Sequence, residues 1–77
     1  MNFKEAIIKM LEDGEFPKII KNAKGKDKRD AQDFYVLIKD NKNLKDIPYL
    51  PLLMAINSPS ILRDAIVYMD KDKDTRN

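Results

Sequence analysis

Apolar residues recur along this chain at helical spacing, and the chain breaks into short helices at nearly every glycine and proline. Asn2 followed by Glu5 has the form of a capping box. Phe3, Ile7, Met10 and Leu11 then keep a spacing of three and four residues up to Gly14. The first helix is therefore expected over residues 2 to 13. Pro17 suits the first turn of a second helix, where its missing N–H costs nothing. Phe16, Ile19, Ile20 and Ala23 fall within an arc of about 100° on that helix, and Gly25 is expected to end it.

A third helix starts at Asp27 or Asp30 and carries Ala31, Phe34, Tyr35 and Ile38 on one stripe. The run Phe34 to Ile38 also has strand propensity. No second convincing strand is present to satisfy its backbone groups, so helix is the expectation. Asn41 to Asn43 reads as a turn, and Ile47 to Ile56 as a central helix apolar nearly all round, with Pro51 in its first turn. Ser58 as N-cap and Pro59 at the first helical position open the last helix. Its expected core face is Ile61, Leu62, Ala65, Ile66 and Met69. The expected fold is all-α: a compact bundle of four to five short helices around Leu53 and Ile56. Residues 1–70 form a single domain, and the charge-alternating residues 71–77 form a frayed tail.

Composition removes most chemistry from this picture. The 77 residues contain neither cysteine nor histidine. Disulfides, thiolate metal sites, thiol catalysis and the usual neutral-pH base are therefore all missing. Gly14 and Gly25 are isolated, so no phosphate-binding glycine loop exists. Asp70-Lys71-Asp72-Lys73-Asp74 imitates the opening of a calcium loop, but Thr75 stands where glycine is needed and the closing glutamate is missing. Lys45 with Pro48 and Pro51 matches a polyproline ligand pattern, yet those residues lead straight into an apolar helix. The reading is a non-enzyme with no cofactor, no metal and no small-molecule substrate. The apolar run Ile47 to Ile56 is far shorter than a membrane span, and the N-terminus has no signal-peptide pattern. A cytoplasmic location without membrane contact is expected.

Charge supplies what remains. Lys18 to Arg29 holds six cations and one acid, Asp27, for a local charge of +5 on a chain whose total is +2. Lys18 and Lys21 lie opposite the apolar arc of the second helix, a solvated face. Lys24 and Lys26 offset the negative end of that helix. Lys28 and Arg29 oppose the macrodipole of the third helix if Asp27 is its cap, and precede the helix if Asp30 is.

Val36 and Leu37 fall off the apolar stripe of the third helix. One of the two is therefore expected to be exposed as part of an apolar interface, unless that helix is central and buried on more sides. Two functions follow. The favoured one is stoichiometric binding to a protein partner, or self-association, as an adaptor, regulator or inhibitor of the kind that small mobile-element genes encode. Its candidate contact residues are Lys21, Lys24, Lys28, Arg29, Tyr35, Val36 and Leu37. The alternative is nucleic-acid binding through residues 18–29. No motif defines a family.

Overall fold

The computed structural model describes residues 1–39 and 54–75. They form a small all-α bundle, as the periodicity requires. Its elements are α1 (Phe3–Glu12), α2 (Glu15–Asn22), α3 (Gly25–Lys39), a 3₁₀ turn (Met54–Asn57) and α4 (Pro59–Thr75). The expected helix over residues 47–56 falls mostly outside the described residues, as do the Asn41–Asn43 turn, the Lys45–Pro51 pattern and Leu53. None of the described helices is long and apolar enough to cross a membrane.

Helix α1 begins on the capping box. The Asn2 side-chain oxygen accepts from the Glu5 N–H at 2.8 Å, and the Glu5 carboxylate accepts from the Asn2 N–H at 3.1 Å. Two of the four orphan N–H groups of the first turn are thus satisfied reciprocally. The helix stops at Gly14, whose φ of 72° is open to glycine without steric cost. With only Asp13 and Gly14 between them, α1 and α2 are forced to turn sharply against each other. Pro17 is the third residue of α2, inside its first turn.

Gly25 does not end α2. That helix stops at Asn22, and Ala23 leaves it in extended conformation while burying its methyl group. Gly25, at φ 61°, is instead the first residue of α3. A left-handed glycine can leave one helix or enter the next, and the position of Ala23 decides which. Asp27 and Asp30 therefore both lie inside α3, and neither caps it. The Phe34–Ile38 run is helical throughout.

The core gathers one stripe from each helix: Ala6, Ile7 and Met10; Phe16 and Ile19; Ala31, Phe34 and Ile38; Ile61 and Ala65. Ala55 of the 3₁₀ turn joins them. Helix α1 packs mainly on α4 and α2 mainly on α3, with the 3₁₀ turn bridging α3 and α4. Phe16 and Phe34 meet with ring centroids 6.0 Å apart at 52°, within the favourable tilted range.

Two expected core residues lie on the surface. The 3₁₀ turn advances three residues per turn, so burying Ala55 rotates Ile56 outward to 48% exposure. On α4 the buried line runs through Ile61 and Ala65 towards Tyr68 and Met69, leaving Ile66 46% exposed. Helix α4 continues to Thr75, so residues 71–75 of the charged tail are helical.

Candidate interaction surface

The N-terminus of α4 is held by a residue distant in sequence. Ser58 is fully buried, and its hydroxyl oxygen accepts from the Ile61 N–H at 3.3 Å, so it caps the helix as its sequence position requires. The same hydroxyl donates to Asp27 Oδ1 at 2.5 Å. The Ser60 N–H donates to that oxygen at 3.3 Å, and the Ser60 hydroxyl donates to Asp27 Oδ2. One carboxylate on the first turn of α3 thus collects two hydroxyls and a free N–H at the positive end of α4, a geometry the macrodipole favours. Burial raises the carboxyl's pKa, but the Ser58 and Ser60 hydrogen bonds and the nearby Arg63 charge outweigh it and hold Asp27 below its ordinary value.

This clasp changes the electrostatics of the basic segment. Asp27 is its one acid, and both of its oxygens are turned towards α4. Lys21, Lys24, Lys26, Lys28 and Arg29 are all exposed, and none forms an ion pair among the described residues. Lys18 does pair, with Glu15 at 3.5 Å on an exposed side of α2. Lys26, Lys28 and Arg29 occupy the first turns of α3, where their charge opposes the macrodipole. A row of cations therefore runs from the end of α2 across the Ala23–Lys24 connection onto α3.

Further along α3, Val36 is 55% and Leu37 49% exposed, so both remain outside the core. Tyr35 is placed differently. It is half-buried, with its ring stacked on Phe16 at 5.6 Å and 16°, and with Lys39 Nζ 6.0 Å above it. It supports the α2–α3 contact and presents only an edge. At ~100° per residue, positions seven apart lie nearly in line, about 10.5 Å along the axis. Arg29 thus shares a stripe with Val36, and Lys28 shares one with Tyr35. Leu37 lies ~100° round from Val36, and Lys21 and Lys24 precede α3 altogether. Lys28 and Arg29 thus form a basic ledge ahead of the exposed Val36 and Leu37 on α3, while Tyr35 is largely taken up by the α2–α3 contact and Lys21 and Lys24 lie before the helix.

A second polar cluster, not anticipated from the sequence, sits where α4 crosses the α1–α2 junction. The Tyr68 hydroxyl donates to Asp13 Oδ2 at 2.9 Å, and Glu15 and Asp64 stand nearby. Burial pushes the Asp64 carboxyl up, the neighbouring negative charge of Glu15 pushes it further, and Lys71 offsets part of this. One Asp64 oxygen is buried without a hydrogen-bond partner. Burial, the Asp13 bond and the surrounding acids also raise the Tyr68 phenol, keeping it neutral. Asp13 and Glu15 flank Gly14 at the α1–α2 junction, but Asp64 and Tyr68 arrive from α4, so no spacing along the chain signals the cluster. Among the described residues, no group of three or more carboxylates is placed to hold a metal ion.

Cavities are shallow. One, of about 440 Å³, is an open groove along α1 between Met1 and Glu12; another, of about 320 Å³, lies between α2 and α4 beside Arg63. Neither approaches Val36 and Leu37. The fold and surface define a small helical bundle with a charged and apolar outer face. No protein-family model, curated protein or solved structure matches this chain.

Proposed function

We propose that the protein acts by stoichiometric binding to a protein partner, as an adaptor, regulator or inhibitor, in a cytoplasmic setting. The observation that carries this reading is the apolar step of Val36 and Leu37, two adjacent large residues about half exposed on α3. Exposed apolar surface rimmed by charge is the usual composition of an interface centre and its border. The cations before it, Lys28 and Arg29, steer an acidic surface into register and raise the encounter rate. The mechanism is occlusion, a helical face covering a partner's site.

The test is capture from the native host with tagged wild-type protein and with the double variant Val36→Asp, Leu37→Asp. Both positions are exposed, so helicity should be unchanged in circular dichroism. The expected result is a defined partner that the wild type retains and the variant loses. Identical partners on both would refute the reading.

The unpaired cations favour a second reading, nucleic-acid binding along Lys21 to Arg29. About 3–5 phosphate contacts would make binding fall steeply with salt. No retention on a polyanion column at low salt would exclude it.

A further inference from the structure

The Asp27 clasp brings two helix starts together, and with them a cation that the basic segment lacks in sequence. Asp27, on the first turn of α3, receives the Ser58 and Ser60 hydroxyls at the start of α4, so α3 and α4 begin side by side. Arg63 follows Ser60 by one turn of α4; it is exposed and near enough for its charge to act on Asp27. Each helix start carries about half a positive charge, so the one carboxylate between them is used up in balancing the two dipoles. Lys21, Lys24, Lys26, Lys28, Arg29 and Arg63 are then left uncompensated. All six are exposed, and none forms an ion pair among the described residues. Asp33, exposed on the next turn of α3, bounds the surface.

The neighbours of these cations decide what the surface fits. From Lys21 to Arg29 the exposed residues are cations, Asn22 and Gly25, and the one apolar side chain, Ala23, is buried. A protein interface is built around an apolar centre, which this stretch does not have. Binding a single strand relies on open aromatic faces for base stacking. Phe16 and Phe34 are buried and Tyr35 is stacked on Phe16, so no such face stands among the cations. Lysines act as flexible point charges that position a protein on phosphates without reading bases. A double helix offers one phosphate charge per about 1.7 Å of its axis, whatever its sequence. We infer that this end of the bundle, with Arg63 of α4 completing the cations of α2 and α3, docks on the phosphate backbone of a nucleic-acid duplex without base readout. This rests on the second reading above, nucleic-acid binding along Lys21 to Arg29, and adds to it the form of the nucleic acid and a contact residue from a distant element.

The experiment measures fluorescence anisotropy of labelled probes titrated with the full-length protein. The probes are two DNA duplexes of unrelated sequence and about 20 base pairs, an RNA duplex of that length, and one strand of each. The proteins are wild type, R63Q, R63K, the triple variant K24Q/K28Q/R29Q, and K9Q, which removes an exposed cation paired with Asp13 on α1. The expected result is equal binding of the two DNA duplexes, with single strands bound less tightly. Duplex affinity should fall about 40- to 500-fold between about 50 and 200 mM salt, the response of about 3–5 phosphate contacts. R63Q should lower the log–log salt slope by about 1 and the triple variant by about 3, with R63K and K9Q close to wild type. R63K keeps the charge beside Asp27, so it separates a lost contact from a weakened clasp, and circular dichroism checks the fold of each variant. The duplex bound more tightly, DNA or RNA, identifies the source of the backbone. No duplex binding with about 100 μM protein at about 50 mM salt overturns the inference and, if single strands are also unbound, the nucleic-acid reading with it. Retention of an acidic protein that the triple variant loses, without duplex binding, gives the surface to a protein and equally overturns the inference. Tighter binding of single strands, unequal binding of the two DNA duplexes, or a folded R63Q or triple variant with the wild-type slope overturns the inference and leaves the nucleic-acid reading standing.

Discussion

Asp27→Ala removes the clasp between α3 and α4 with little else changed. Within α3 itself the substitution loses an acid from the first turn, a cost of about 0.3–1 kcal/mol, and gains the better helix propensity of alanine, about 0.5 kcal/mol. These local effects nearly cancel, so the measured loss reports the tertiary contact. Hydrogen bonds to a charged group contribute about 1.5–3 kcal/mol each in favourable settings. Asp27 is only partly buried, so solvent screens its bonds, and the three together are expected to contribute about 2–3 kcal/mol. Against a total of about 4–12 kcal/mol for a chain of this length, that is a large fraction. The midpoint of thermal unfolding should fall by about 10–20 °C.

The pH dependence supplies a second check on the same variant. The folded pKa of Asp27 lies below its ordinary value of 3.8. Its contribution is therefore complete above that value and is lost as pH falls through the folded pKa. Urea unfolding of wild type and Asp27→Ala should differ most near pH 7, and the gap should narrow steadily below about pH 4. Combining Asp27→Ala with Ser60→Ala should give less than the sum of the single losses, because both remove the same bond. A loss below about 0.5 kcal/mol, or a gap that does not respond to acid, would refute the account of how α4 is anchored.

Asp64 behaves with the opposite sign. Its folded pKa is raised, so its ionised form weakens the fold, and stability is lost as pH rises through that pKa. Asp64→Asn should therefore stabilise at pH 7 by about 0.5–1 kcal/mol, and the gain should vanish below the ordinary carboxylate range; destabilisation at pH 7 would contradict the assignment. Reversing Lys24, Lys28 and Arg29 to Glu should leave the thermal midpoint within a few degrees of wild type or raise it. All three are exposed, and acids suit the first turns of α3. Unfolding of that triple variant would show that the basic ledge is misplaced.

The helices themselves were legible where local chemistry decides them. The Asn2–Glu5 box, Gly14, Ser58 and Pro59 mark helix ends through bonds made within four residues, and each stands where its type predicts. The buried stripes through Phe16, Ile19, Ala31, Phe34 and Ile38 follow from periodicity alone. The basic segment was equally plain as a count of charges. Its meaning was not, because the destination of Asp27 depends on α4, thirty-one residues away from Asp27 at Ser58.

By itself, the sequence determined the all-α character of the described residues, most of their helix ends, most of their buried positions and a chemistry without thiols or imidazoles. Those properties rest on torsional preference, capping and hydrophobic period, all of which act between near neighbours. Tertiary structure decided the rest. It made Gly25 the start of α3, put Ile56 and Ile66 on the surface, left both Val36 and Leu37 outside the core, and gathered Asp13, Glu15, Asp64 and Tyr68. The physical reason is common to all of them: which of two adjacent apolar residues is buried, and which charge meets which helix end, depends on how the helices are packed against one another.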